Sequence, residues 1–205
     1  MKRRVQAPIL PIITAILTFL SWNGAKINWP YGLCALLCVF LAQRLIASGR
    51  LAEGLLPKFS NIRSIVLRDV ITFVSLALLP AVAISFIATG AMHWGILIVA
   101  LPIGLMTNAI FLANDPENIH HSRLYAFEVI FPYIWVGGCS VTGLMPMHTI
   151  IVFLTLAVAL GCAKTLSHAD GEKVETTTDL GARTLNLLVL FSLLLAISFL
   201  LPRFI

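Results

Sequence analysis

The chain has 205 residues, of which 59% are hydrophobic and 11% charged, with a mean hydropathy of +0.97. An ordinary soluble domain carries roughly 25% charged residues, so a soluble globule is excluded, and at about 20 apolar residues per crossing the length is used up by on the order of seven membrane spans. Lys+Arg 14 against Asp+Glu 9 leaves a net +5; in a membrane protein such an excess reports orientation and anionic headgroups, and no nucleic-acid partner is expected.

The N-terminal Met1-Lys2-Arg3-Arg4 precedes a first apolar run from about Pro8 to Trp22. With further runs behind it, this segment reads as a signal anchor retained in the protein and not as a cleaved leader. The later runs extend from about Pro30 to Gln43, Val70 to Ala88, Trp94 to Ala113, Tyr125 to Val141, Thr149 to Ala163 and Leu185 to Leu201. They are too long and too uniformly apolar for barrel strands, which are short and alternate apolar with polar residues. The expected fold is all-α: a polytopic membrane helix bundle of about seven transmembrane helices, with residues 1–205 forming a single transmembrane domain.

Basic residues orient the spans, because cytoplasmic connections retain most of them. With the N-terminus inside, the inner face collects Lys2, Arg3, Arg4, Arg44, Arg50, Lys58, Arg63, Arg68, Arg123, Lys164, Lys173 and Arg183, which is 12 of the 14. Lys26 and Arg203 remain outside, and the C-terminus is expected outside as well. Two tight outer turns, Thr89-Gly90-Ala91-Met92-His93 and Thr142-Gly143-Leu144-Met145-Pro146, share a loose T-G-x-M pattern. It reads either as a trace of a duplicated hairpin or as two unrelated turns. The segment Ser167 to Thr178 is the nearest approach to a disordered loop.

Little in the spans is ionisable. Glu128 is expected to reach the inner interface, a few residues past Arg123, and Asp69 to begin the third span beside Arg68; the absence of a mid-span carboxylate argues against an ion-coupled transporter. Asn108 and Asn186 are expected to bond neighbouring helices. Cys34, Cys38, Cys139 and Cys162 lie in or beside apolar runs without CxxC or histidine spacing, and read as small apolar filler.

The richest polar segment is Asn108 to Arg123, where a span empties into an inner loop. Asp115 before Pro116 is a helix-start signal, which places Glu117, His120 and His121 on one or two adjacent faces. The loop offers carboxylate and imidazole ligands at the membrane edge; the competing reading is an aspartate cap with histidines solvating the interface.

A span ending in Asn114 and followed by acidic residues resembles the second half of the UbiA-type intramembrane prenyltransferases, closest to their 1,4-dihydroxy-2-naphthoate polyprenyltransferase branch. There the second aspartate-rich motif reads N-N-x-R-D-x-x-x-D; Asn114 takes its second Asn, Pro116 its Arg, Glu117 its first Asp and His121 its second Asp, the last three being departures. The stretch from Ala163-Lys164 through Arg183 into the last span resembles that branch's closing loop and helix, and Arg44-Leu-Ile-Ala-Ser-Gly49-Arg50-Leu resembles the segment after its first motif. The first motif itself, N-D-x-x-D, is absent around Cys38 to Gln43, and the chain is shorter than the family by about two helices.

The resemblance implies a bundle that shelters an isoprenoid chain and transfers a polyprenyl group from its diphosphate to an aromatic acceptor. It places Asp115 and Glu117 as the catalytic carboxylates, joined by His121 as magnesium ligands. Arg50, Arg68, Arg123, Lys164 and Asn114 hold the diphosphate. Anchoring to anionic lipid explains every one of these basic residues without a substrate, and a second reading is an inactive relative serving as a structural subunit or assembly partner. Partners on these readings are the bilayer, an isoprenoid diphosphate and a membrane subunit, in a bacterial inner membrane.

Overall fold

The structure, a computed structural model, describes residues 9–22, 24, 26, 30, 70, 73–91, 93–114, 122–168 and 175–201, and every regular element among them is helical. Helix α1 spans Ile9–Trp22; a π-helical segment, Val74–Leu78, runs into α2, Leu79–Thr89; α3 spans Ile96–Asn114 and α4 Ser122–Val141. A 3-10 segment, Met147–Thr155, continues into α5, Leu156–His168, and α6 spans Glu175–Leu200. Among the described residues four stretches are long and apolar enough to cross a membrane: Ile96–Ala113, Ser122–Val141, Met147–Leu166 and Asp179–Leu200. The expected span from Pro30 to Gln43 lies outside the described residues beyond Pro30 itself.

Local chemistry explains several irregularities. Pro80 has no N–H for the carbonyl four residues back, and the turn before it widens, so that the Leu79 N–H reaches the carbonyl of Val74 five residues back. At the two turns with the T-G-x-M pattern, Gly90 and Gly143 have φ of 74° and 76°, a conformation a side chain disfavours. Thr89 donates its hydroxyl to the Ser85 carbonyl at 2.7 Å, and Thr142 donates to that of Gly138 at 2.9 Å. The shared pattern is a shared way of ending a helix, and it needs no duplicated hairpin.

Side-chain pairs set the directions of the helices. Phe19 and Phe199, each near the C-terminal end of its helix, meet edge-to-face with centroids 5.3 Å apart, so α1 and α6 run parallel. Tyr125 and Thr184, near the starts of α4 and α6, hydrogen-bond at 2.7 Å and make that pair parallel too. The Trp135 indole donates to the Ile98 carbonyl at 2.9 Å, which sets α3 antiparallel to α4. Tyr133 with Thr155, at 2.8 Å, and Ser140 with Thr149 do the same for the Met147–His168 stretch. The core between α4, the 3-10 segment and α6 is aromatic: the Tyr133 ring stands edge-to-face on Phe153 and Phe191, at 5.8 and 5.4 Å.

Two expectations change. Helix α6 begins at Glu175, ten residues before the expected Leu185, so the last turn's worth of the expected loop Ser167 to Thr178 is already helical. Hydropathy marks only the part of a helix that meets lipid, whereas Asp179 and Arg183, paired at 2.6 Å one turn apart, continue the helix beyond it.

Candidate functional site

These directions bring the N-terminus of α1, the end of α3, the starts of α4 and α6 and the end of α5 to one end of the bundle. Arg123, Lys164, Asp179 and Arg183 all stand there, and all four are exposed. The opposite end carries the Gly90 and Gly143 turns, with His93, His148 and the exposed Lys26 as its described basic residues. Charge is therefore polarised along the bundle axis.

Of the residues expected to form the site, Arg123 and Lys164 stand at this same end of the bundle. Asn114 is the last residue of α3 and belongs to the same end. Asp115, Glu117, His121, Arg50 and Arg68 lie outside the described residues, as does Asp69, whose approach to Glu117 at one cavity mouth is the geometric condition for a shared metal. Among the described residues there is no group of three His, Cys, Asp or Glu side chains able to hold a metal ion.

From the charged end along the bundle the helices are joined by polar pairs that the apolar runs do not announce. The Thr184 hydroxyl donates to the Leu180 carbonyl at 2.8 Å, so its one proton is committed and the Tyr125 hydroxyl is the donor between them. Thr155 likewise donates to the Val152 carbonyl at 2.8 Å and accepts from Tyr133. Tyr125, Tyr133 and Ser140 recur on one buried stripe of α4, and that spacing of hydroxyls within an apolar run is the signal that points to them. Cys139 and Cys162 are free, buried thiols.

Glu128 departs from expectation. Helix α4 starts at Ser122, so Glu128 is already about 9 Å along the axis at 1.5 Å per residue, and it lies two turns before Trp135 on the same face, toward α3. It is 2% exposed and does not reach the interface. On α3, Asn108 is 3% exposed, and the antiparallel register set by Trp135 and Ile98 brings it within about a turn of Glu128. A buried carboxylate and carboxamide, both engaged in the interior, thus sit below the charged end. Asn186 does the opposite of what was expected, standing on the outer surface of α6.

The arrangement is chemically divided: a surface of basic groups able to meet an anion, a polar belt tying helices together, and an aromatic core. Comparison with protein-family models, curated proteins and solved structures finds no match.

Proposed function

We propose that the chain is an integral membrane protein of the UbiA prenyltransferase type, with about seven spans, that takes the head of a polyprenyl diphosphate at its charged end. The polarisation of charge carries the reading: Arg123 and Lys164 stand at the same end as Asn114, where the family-like acidic loop leaves α3. The parallel course of α1 and α6 supports an odd number of spans from first to last, with the charged end cytoplasmic in a bacterial inner membrane. In this reading Arg50, Arg68, Arg123 and Lys164 grip phosphate oxygens beside Asn114. Asp115 and Glu117, with His121, hold magnesium, which neutralises the diphosphate as its bond to the allylic carbon breaks. The polyprenyl group passes to an aromatic acceptor.

A second reading, an inactive relative acting as a membrane subunit, has one observation behind it. Rings of Tyr133, Phe153 and Phe191 pack edge-to-face between α4, the 3-10 segment and α6, so this part of the interior is filled by aromatic side chains. The missing first aspartate motif points the same way, since two carboxylates leave a diphosphate's charge incompletely neutralised.

The test uses purified protein in detergent with magnesium, labelled polyprenyl diphosphate and dihydroxynaphthoate. Turnover abolished by Glu117→Ala establishes the enzyme. Magnesium-dependent binding without turnover establishes the inactive relative, and no binding removes the isoprenoid connection altogether.

A further inference from the structure

We draw no further inference here: the strongest candidate, the buried side chains of Glu128 on α4 and Asn108 on α3 below the charged end, belongs to the site already described, and both groups are engaged within the interior with no path for a ligand to reach them shown among the described residues.

Discussion

Trp135 donates its indole N–H to the one α3 carbonyl that Pro102 cannot serve. Proline at position 102 has no N–H for the carbonyl four residues back, which is that of Ile98, and the indole supplies the missing donor from α4 at 2.9 Å. A proline is tolerated within a membrane helix where a neighbour re-satisfies the freed carbonyl, as here.

That relation predicts a coupling. Trp135→Phe keeps a ring but removes the donor, and is expected to lower stability by ~1–2 kcal/mol. In a Pro102→Ala background the Ile98 carbonyl regains its intrahelical donor, so the same substitution costs distinctly less. Unfolding of the four variants in detergent measures the cycle, and strict additivity would show that the indole bond is incidental.

Tyr125→Phe and Tyr133→Phe each remove one donor to a threonine whose own hydrogen bond to backbone survives. Each is expected to cost only ~0.5–1 kcal/mol, because the threonine proton stays committed and only an acceptor site is lost. The two sites lie about two turns apart and hydrogen-bond different threonines, so the double variant should be additive within about 0.5 kcal/mol. Denaturation midpoints of the three variants check this.

Gly104 admits the chain that precedes α2. A Cβ there would stand 2.5 Å from the Phe73 ring and 2.6 Å from the Ala77 Cβ. Gly104→Ala is expected to cost ~1–3 kcal/mol by overpacking, and Gly104→Leu more. Both should lower the thermal midpoint, whereas Gly138→Ala, with open space at its Cβ, should not lower it by this mechanism.

Most of the helices were legible in the sequence because hydrocarbon demands unbroken apolar runs: the C-terminal ends of α1, α2, α3 and α4 fall within one residue of the expected boundaries, while the starts of α2 and α4 are displaced by nine and three residues. What hydropathy does not encode is pitch and facing. Met147–Thr155 winds as a 3-10 segment, and nothing in its apolar run separates it from an α-helix. The distance of Glu128 from Arg123 along the chain suggests the interface, yet 100° per residue turns it inward toward α3. An asparagine in a span usually bonds a neighbouring helix; the outward facing of Asn186 depends on which side of α6 the other helices occupy, which is a tertiary fact. Of the site, the gathering of Arg123 and Lys164 was legible through the positive-inside count, whereas the Tyr–Thr belt was hidden inside runs scored as apolar.

Arg123 and Lys164 distinguish substrate binding from lipid anchoring. On the proposed function, Arg123→Gln and Lys164→Gln each weaken polyprenyl diphosphate binding by about tenfold, the loss of one charge-assisted contact at an exposed position. Isothermal titration with the protein in detergent reads this directly, and unchanged affinity in both variants would leave these residues as anchors only.

Everything proposed for the charged end requires that it face the cytoplasm, where on this reading the diphosphate head of a membrane-held donor is met. The most direct measurement is a pair of alkaline phosphatase fusions, active only when exported. One placed after Ile205 is expected to be active and one after Arg123 inactive, since 12 of the 14 basic residues then lie inside. The reverse pattern, or equal activity at both positions, would contradict the orientation and with it the proposed site.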